Sequence, residues 1–486
     1  MTSPRIVIIG AGFGGLGTAI ELQRHGFTDI TVLERADAIG GVWRDNTYPN
    51  AACDVPSSLY SWSFAPNPEW PRRYSGQADI LEYIETVAQA EGVHDLVRCG
   101  TEVTGARYDD ATATWTVTSA TGETFTADFL VTAVGQLSRP VIPTIPGAET
   151  FAGPAFHSAE WDHDVDLRGK RVAVLGTGAS AIQFVPGIQP LAGQVTVFQR
   201  SAPYVVPKAD RAYTRSHHRA FARFPKTQAF GRKLTWVMSE QLNKSLVGTN
   251  PMKSVLEKAW RLHLRHQIKD PVLRAKLKPD YPIGCKRLLF SNDWYPALAS
   301  ANVDVVTHEA AEILPHGVRA GDGTVHEADV IIYGTGFAAT EFLAPMQITG
   351  AGGVTLDEAW ADGARAYLGI CVPGFPNLGI VYGPNTNLGG SSIINMMESQ
   401  SQLIRQLVEQ VADGGSITVR ADVEDEFDQE IQQRISASVW GGCDSWYRDS
   451  AGRVTTNWPG TVVEYKERTR ELDLARFEAA KALPVG

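Results

Sequence analysis

The sequence predicts an α/β protein with two doubly wound, Rossmann-like domains and a helical insertion. The first observation is a β-branched run at residues 6–9, a glycine turn, a helical pattern at 16–25 and a second run at 30–33, which together indicate a βαβ unit. The second is the return of the same order between residues 171 and 198. The third is a segment with leucine and aromatic residues at helical spacing, residues 211–280.

Composition bounds the remaining possibilities. A chain of 486 residues with 43% hydrophobic content has the length of two or three domains. Its 44 basic and 54 acidic side chains give a net charge of −10, which argues against a nucleic-acid surface covering the whole molecule. The first predicted strand begins at residue 5, so we expect no secretion signal. Prolines interrupt the longest uncharged stretch, residues 366–397, so no integral membrane span is expected.

The cysteine spacing predicts no disulfide framework and no metal site. Five cysteines are an odd number, and none of them form a C-x-x-C or another metal-like spacing. We therefore expect reduced thiols in a cytoplasmic protein. These cysteines are Cys53, Cys99, Cys285, Cys371 and Cys443.

The helical insertion, at about residues 208–280, is strongly basic. Residues 211–280 carry sixteen Lys or Arg against four Asp or Glu, a net charge of +12. A solvated basic face that balances acidic neighbours is the ordinary interpretation. Binding to an anionic membrane or to nucleic acid is the alternative, and the sequence leaves it open.

The first glycine turn, "GAGFGG", places Gly10, Gly12 and Gly15 in the G-x-G-x-x-G arrangement. Such glycines allow a tight turn, close approach to a pyrophosphate and close packing of helix on strand. Glu34 ends the next predicted strand, where a carboxylate accepts hydrogen bonds from a ribose diol. Glycines kept only for packing are the alternative.

The second turn, "GTGASA", places Gly176, Gly178 and Ala181 likewise, but Arg200 stands where the first unit has Glu34. An arginine binds a 2′-phosphate that a carboxylate would repel, so this turn favours NADP. We therefore predict FAD at the first turn and NADPH at the second. The predicted FAD domain is discontinuous, residues 1–140 and 342–486, and the NADPH domain occupies residues 141–341.

A sharper pattern, F-x-G-x-x-x-H-x-x-x-W, lies between the two units at Phe151, Gly153, His157 and Trp161, followed by Asp162. It resembles the fingerprint of type I Baeyer–Villiger monooxygenases, in which it links the FAD and NADPH domains. The resemblance extends over nearly the whole chain. It implies a hinge here, with His157 either a hydrogen-bonded linker residue or a group with a kinetic role. Other matching segments are residues 40–64, 197–207, 281–296 and 333–337.

The resemblance implies an activity and a set of site residues. NADPH would reduce FAD, oxygen would add to give a C4a-peroxyflavin, and a ketone would become an ester or lactone. Without the resemblance, the charged residues are ordinary ion-pair residues and the C-terminal tryptophan is a core residue. The implied roles are Asp54 and Arg287 in catalysis; Arg200, Ser201 and Lys286 at the 2′-phosphate; Trp43 at the cofactors; and Trp446 near the nicotinamide ribose.

The substrate range and two alternative functions stay open at this stage. The segment after Trp446, "RDSAGRVTTNWPG", departs from the family's usual pattern, which leaves the substrate range undefined. An oxygenase acting on nitrogen or sulfur, with a thioether substrate, is the second enzyme hypothesis, and a slow flavin-dependent sensor is a third. A flavin disulfide reductase is disfavoured, because Cys53 has no C-x-x-C partner.

Overall fold

A computed structural model describes residues 3–248 and 252–480. It is a mixed α/β structure with two parallel sheets of five strands each. The strands are β1 Ile6–Ile9, β2 Ile30–Leu33, β3 Val97–Arg98, β4 Val103–Asp109, β5 Thr114–Ser119, β6 Thr124–Ala127, β7 Phe129–Thr132, β8 Ala155–His157, β9 Arg171–Leu175, β10 Gln194–Phe198, β11 Val205–Val206, β12 Leu289–Phe290, β13 Val303–Val306, β14 Ala310–Leu314, β15 Gly317–Ala320, β16 Val325–Glu327, β17 Val330–Tyr333, β18 Gln347–Thr349, β19 Leu378–Ile380, β20 Ser416–Val419 and β21 Phe477–Ala480. The helices are α1 Phe13–Arg24, α2 Val42–Asp45, α3 Gln77–Ala90, α4 Ala181–Ile188, α5 Arg215–Arg223, α6 Pro225–Val247, α7 Met252–Gln267, α8 Pro271–Lys276, α9 Trp294–Leu298, α10 Leu356–Ala359, α11 Ile393–Val411, α12 Ala421–Ser436 and α13 Val462–Arg468.

The first parallel sheet has the order β19-β7-β1-β2-β3. Its central strand, β1, pairs with β2 on one side and with β7 on the other, each in parallel register. The strand order therefore reverses at β1, and ligands of doubly wound sheets bind at such a point. Helix α1 leaves the end of β1 and packs against α11, where the hydroxyls of Thr18 and Ser401 lie 2.8 Å apart.

The second parallel sheet, β13-β10-β9-β17-β8, repeats this plan. Strand β9 pairs with β10 on one side and β17 on the other, so its carboxyl end is a second reversal point. The segments that follow β7 and β17 run side by side, since Val141 N donates to Gly336 O at 3.0 Å and Ala338 N to Arg139 O at 3.0 Å. The paired crossing segments join the two halves of the molecule.

Smaller elements complete the fold. Strands β18-β4-β5-β6 form a second layer behind the first sheet, and β14-β15-β16 form a hairpin meander beside the second. Helices α5 to α8 occupy the predicted insertion. Among the described residues, no helix has both the length and the apolar composition that crossing a bilayer would require.

The structure confirms the fold class and corrects two details. Helix α1 begins at Phe13, three residues before the predicted start. Cys285 and Cys443, predicted to be reduced thiols, form a disulfide between residues 158 apart in the sequence. Local spacing cannot reveal this pair, because only the packing of the two halves brings the Cα atoms to 6.0 Å. Cys53, Cys99 and Cys371 remain free.

We predict that Gly15 is required for stability and Gly12 for FAD binding. A Cβ atom on Gly15 would lie 1.8 Å from the carbonyl oxygen of Gly10, so Gly15→Ala should lower the free energy of unfolding of the apoprotein by about 3 kcal/mol. A Cβ atom on Gly12 meets only the Cα of Gly41, at 3.7 Å, so Gly12→Ala should cost less than about 1 kcal/mol and weaken FAD binding instead. Thermal unfolding of the apoprotein and FAD titration separate the two effects. Equal stability of both variants would contradict this assignment.

Candidate active site

A single cavity of about 1220 Å³ opens at the carboxyl ends of both central strands. The turn after β1 and the turn after β9 both line it, so two dinucleotides bound at these turns would meet in one space. Two of the sequence-predicted turn residues, Gly15 and Ala181, lie behind the lining rather than in it. The predicted site residues that line the cavity are Gly10, Gly12, Glu34, Trp43, Asp54, Gly176, Gly178, Arg200, Ser201, Lys286, Arg287 and Trp446.

The first glycine turn has the shape of a pyrophosphate cradle. Gly10 has φ +103°, which a glycine adopts readily, and Gly15 has no room for a side chain above it. Gly12 is the N-cap of α1 and faces open space toward the cavity. The positive end of the helix dipole therefore points at a position that backbone amides can reach.

Glu34, directly after β2, is hydrogen-bonded to the first glycine turn. Its carboxylate accepts hydrogen bonds from Ala11 N at 2.8 Å and Ala36 N at 3.1 Å, and it is 3.1 Å from a guanidinium nitrogen of Arg44. Each carboxylate oxygen can accept more than one hydrogen bond, so the group keeps acceptor capacity for a ribose diol. The arrangement fits the adenosine half of FAD.

The second turn ends in a positive cluster. Lys286 Nζ donates to Ser201 Oγ at 2.8 Å, and burial, followed by the charge of Arg200, lowers the pKa of Lys286. Neither cation forms a salt bridge with any residue that the structure describes. Asp280 and Asp444 act on Lys286 only through longer-range charge. Two cations and a hydroxyl that converge in this way fit the 2′-phosphate of NADP.

Asp54 and Arg287 form a forked ion pair across the cavity. Arg287 Nη2 donates to Asp54 Oδ1 at 3.1 Å and Nε to Oδ2 at 3.4 Å, although 233 residues separate them in sequence. Burial opposes the ionisation of Asp54, but the charge and hydrogen bonds of Arg287 prevail and lower its pKa. The Asp54 charge in turn raises the pKa of Arg287. Both groups are therefore ionised at neutral pH, and the guanidinium is held in one orientation.

Sequence reasoning missed Lys208, which supports this pair. Its Nζ donates to the carbonyl oxygen of Cys53 at 3.0 Å and lies 4.9 Å from the centre of the Tyr74 ring, and its charge contributes to the low pKa of Asp54. Asn292 fixes the lysine backbone through two hydrogen bonds, of 3.0 and 2.8 Å. The only sequence signal for Lys208 is its position directly after residue 207, where one of the segments that match the family ends.

Three tyrosines around Arg287 were also missed. Burial raises the pKa of Tyr60, Tyr382 and Tyr447, and the guanidinium charge opposes this rise. The pKa of Tyr447 is raised to about 12. Tyr382 has φ +62°, a strained conformation for a tyrosine, and the amide of Gln136 donates to its carbonyl oxygen at 3.0 Å. No local sequence signal distinguishes these tyrosines from core residues.

Both predicted tryptophans line the cavity. Trp43 donates from Nε1 to the hydroxyl of Tyr60 at 3.0 Å. Trp446 is 38% exposed and packs on Tyr447 with the ring centres 4.3 Å apart. Trp446 is therefore not a core residue, and its indole is available at the cavity wall.

The fingerprint residues do not line the cavity. Strand β8 is the edge strand beside β17, and a Cβ atom on Gly153 would lie 2.2 Å from the carbonyl oxygen of Asp329. His157 is fully buried, its ring centre lies 5.6 Å from that of Phe337, and burial lowers its pKa. Of the fingerprint residues, His157 thus packs against a crossing segment. Phe151 packs against the core of the second sheet, Trp161 packs on Phe184, and Asp162 accepts a hydrogen bond from Asp164 N.

The cysteines do not form a redox centre at the cavity. Cys53 is buried and its pKa is raised to about 12, first by desolvation and then by Asp54. The paired residues, Cys285 and Cys443, are absent from the cavity lining, although their neighbours Lys286 and Asp444 line it. The disulfide therefore fastens two segments of the cavity wall together from behind.

Comparison with known proteins agrees with this geometry. The family model described as pyridine nucleotide-disulphide oxidoreductase matches residues 7–218. A Baeyer–Villiger monooxygenase of Streptomyces coelicolor is 46% identical over 485 residues, covering 99% of this chain and 93% of the relative.

Solved structures match over the same extent. An oxidised steroid monooxygenase bound to NADP superposes with a TM-score of 0.87 at 30% identity, covering 99% of this chain and 100% of that one. The enzyme OTEMO in complex with FAD and NADP gives a TM-score of 0.87 at 28% identity, covering 98% and 100%. The resemblance predicted from the sequence is confirmed, and the chain belongs to the Baeyer–Villiger monooxygenase family.

Proposed function

We propose that this flavin monooxygenase converts ketones to esters or lactones, with FAD bound at the turn after β1 and NADPH at the turn after β9. The forked pair of Asp54 and Arg287 carries this proposal, because it lies in the cavity onto which both turns open. When bound, the reduced flavin supplies the chemistry that activates oxygen. The residues of the chain then bind, orient and stabilise charge.

Arg287 is the proposed stabiliser of the anion that must attack a ketone. A guanidinium stays protonated at any working pH and presents several donors in a fixed plane. In a cavity with little water, such a charge stabilises a developing anion far more than it would in solution. Its pairing with Asp54 means that no side chain has to reorganise when the anion forms.

Asp54 is the proposed positioning partner of Arg287. Both ends of its carboxylate are engaged by the guanidinium fork, and the charge of Lys208 also acts to lower its pKa. A carboxylate whose pKa is lowered in this way is a weak base, which disfavours proton abstraction from a substrate. Its contribution is therefore orientation and charge balance.

Three further proposals concern the surroundings of the site. The fingerprint and the paired crossing segments form the hinge between an FAD domain, residues 1–140 and 342–486, and an NADPH domain, residues 141–341. Trp446 borders the nicotinamide ribose. The enzyme works in the cytoplasm, where NADPH is available as reductant.

The direct test is incubation of the FAD-loaded enzyme with NADPH, oxygen and either a cyclic ketone or a thioether. Formation of a lactone from the ketone, in proportion to NADPH consumed, supports the proposal. Conversion of the thioether alone would identify an oxygenase acting on nitrogen or sulfur. NADPH consumption balanced by hydrogen peroxide, with neither product, would point to an oxidase.

We predict that Arg200 and Lys286 select NADPH over NADH. Removing a charge-assisted contact to the 2′-phosphate, by Arg200→Ala or Lys286→Met, should lower kcat/KM for NADPH by about 10- to 100-fold. The value for NADH should change by less than about twofold, since NADH lacks that phosphate. Lys170→Ala, an exposed lysine of the same domain, is the control. A parallel loss with both coenzymes would contradict the assignment.

We predict that Arg287 acts after flavin reduction. Arg287→Lys keeps a charge but loses the fork, and Arg287→Ala loses both. Lactone formation should fall by on the order of 100- to 1000-fold in the alanine variant, while anaerobic reduction by NADPH keeps its rate and oxygen is released as hydrogen peroxide. Arg200→Ala, at saturating NADPH, should retain its yield of lactone per NADPH. Full coupling in Arg287→Ala would exclude the role.

We predict that the disulfide stabilises the cavity wall. Cys443→Ser should lower the free energy of unfolding by about 2–4 kcal/mol, since the bond closes a long loop, and should raise the KM for NADPH by loosening the segment that carries Trp446. Dithiothreitol should do the same to the wild type and nothing more to the variant. Free Cys99 is the control position, as Cys99→Ser leaves both quantities unchanged. A melting temperature insensitive to dithiothreitol would contradict the prediction.

A further inference from the structure

Helix α6 has an inner face that is committed to the fold. The guanidinium of Arg232 donates to the carbonyl oxygen of Ser58 at 2.6 Å and to Ser61 Oγ at 3.0 Å. Near the other end, the buried carboxylate of Glu240 accepts from the amides of Val462 and Val463 at 3.3 and 3.4 Å. The orientation of the helix is therefore fixed, and so is the face that it turns outward.

The outward face of α6 carries an apolar stripe that nothing in the described chain covers. Phe230, Leu234, Val237 and Met238 are 70%, 53%, 40% and 59% exposed. Positions separated by four, seven and eight residues lie on one side of an α-helix. Phe224, at the corner before the helix, is a further 57% exposed. A run of large exposed apolar side chains on one face marks an interaction site.

Cations flank this stripe. At 100° per residue, Lys226, Lys233 and Lys244 all project about 40–60° to one side of Phe230, and all three are exposed. Helix α5 adds a second exposed row at positions i, i+4 and i+8, Arg215, Arg219 and Arg223. Within the described residues, none of these six side chains forms a salt bridge.

The hairpin is strongly basic in its own residues. Residues 215–247 contain seven Lys or Arg and a single acid, the buried Glu240. A symmetric contact between two copies would bring these like charges together, which disfavours a closed dimer through this face. Nucleic-acid surfaces pair cations with stacking aromatic residues or hydrogen-bonding groups, whereas this stripe is largely aliphatic.

We propose that the α5–α6 hairpin, residues 215–247, docks peripherally on an anionic lipid bilayer. An amphipathic helix with apolar side chains flanked by lysines lies in the plane of the bilayer surface, with its apolar face among the acyl chains and its cations at the anionic headgroups. The chain has a net charge of −10 although residues 211–280 carry +12, so anionic lipid repels the acidic remainder and attracts the insertion that contains the hairpin. This docking is independent of the reaction that the enzyme performs.

The inner face of the same helix explains what the docking would serve. Cβ atoms placed on Gly389 and Gly390 would meet the side chains of Leu246 and Leu242 at 2.6 Å, so α6 packs directly on this glycine pair. The residues on either side of the pair, Leu388 and Ser391, line the cavity. Met238, at the C-terminal end of the stripe, precedes Leu242 by four residues, about 6 Å along the helix axis, so this end of the stripe lies nearest the cavity wall. If the proposed function holds, lipid-soluble ketones are the substrates favoured by this placement.

The test is co-sedimentation of the full-length FAD-bound enzyme with vesicles. Pure phosphatidylcholine is compared with an equal mixture of phosphatidylcholine and phosphatidylglycerol. The wild type should partition at least tenfold more strongly into the anionic vesicles, and less so at high salt. Lys226→Gln, Lys233→Gln and Lys244→Gln together should reduce partitioning by about a hundredfold, as each interfacial lysine contributes a factor of about five.

A second variant removes the apolar stripe and leaves the charge. Phe230→Ser, Leu234→Ser and Met238→Ser together should also abolish sedimentation with the vesicles. Leu191→Ser with Lys170→Gln, an exposed leucine and lysine elsewhere, should bind as the wild type does. FAD content and melting temperature confirm that each variant is folded.

Three outcomes would overturn the proposal. Equal or negligible wild-type binding to both vesicle types excludes an anionic bilayer. A wild-type dimer in sedimentation velocity that the serine variant dissociates identifies a second copy as the occupant. Retention of single-stranded RNA that the glutamine variant loses and the serine variant keeps identifies nucleic acid. Lactone formation in solution is measured separately, so failure of docking does not count against the catalytic proposal.

Discussion

The ion pair between Asp54 and Arg287 is the interaction on which the site depends. Each partner comes from a different half of the molecule and is partly buried, so removing either one would leave the other charge in the cavity without its forked partner. The pair therefore requires the two halves to stand at a particular separation. Lys208 and Asn292 reinforce that requirement, because the lysine reaches the carbonyl oxygen of Cys53 while its backbone is held beside β12. The same ion pair therefore supplies the charge in the cavity and helps to hold the two halves together.

Close backbone approaches set the positions of the two nucleotide turns. At the first turn, the carbonyl oxygen of Gly10 occupies the space in which a side chain of Gly15 would stand, and at the second, the carbonyl oxygen of Gly334 lies 2.4 Å from the ideal Cβ position of Gly176. Both turns follow the central strand of a parallel sheet, where the strand order reverses. The positive cluster of Arg200 and Lys286 then distinguishes the second turn from the first, which ends in Glu34. The two turns thus share one architecture, and the charge of the side chain after the next strand makes their ligand preferences different.

Much of this could be predicted from residues that act locally. The β-branched runs and glycine turns indicated both parallel sheets, and Glu34 against Arg200 distinguished the two turns, since each signal lies within one βαβ unit. The second-layer sheet β18-β4-β5-β6, the tyrosines around Arg287 and the lysine at position 208 were not predicted. Their roles arise only when segments far apart in sequence pack together. The prediction that Cys285 and Cys443 are reduced thiols was wrong for the same reason, because a separation of 158 residues leaves no trace in local spacing.

The most direct test of the central claim is a double-mutant cycle on the pair, with Asp54→Asn, Arg287→Lys and the double variant. The rate of lactone formation and the melting temperature are measured for all four proteins. If Asp54 acts by holding Arg287, the double variant will be no slower than Arg287→Lys alone, and the coupling free energy will reach about 2 kcal/mol. Multiplicative losses, with a coupling free energy near zero, would show that the two residues act independently and would contradict the account.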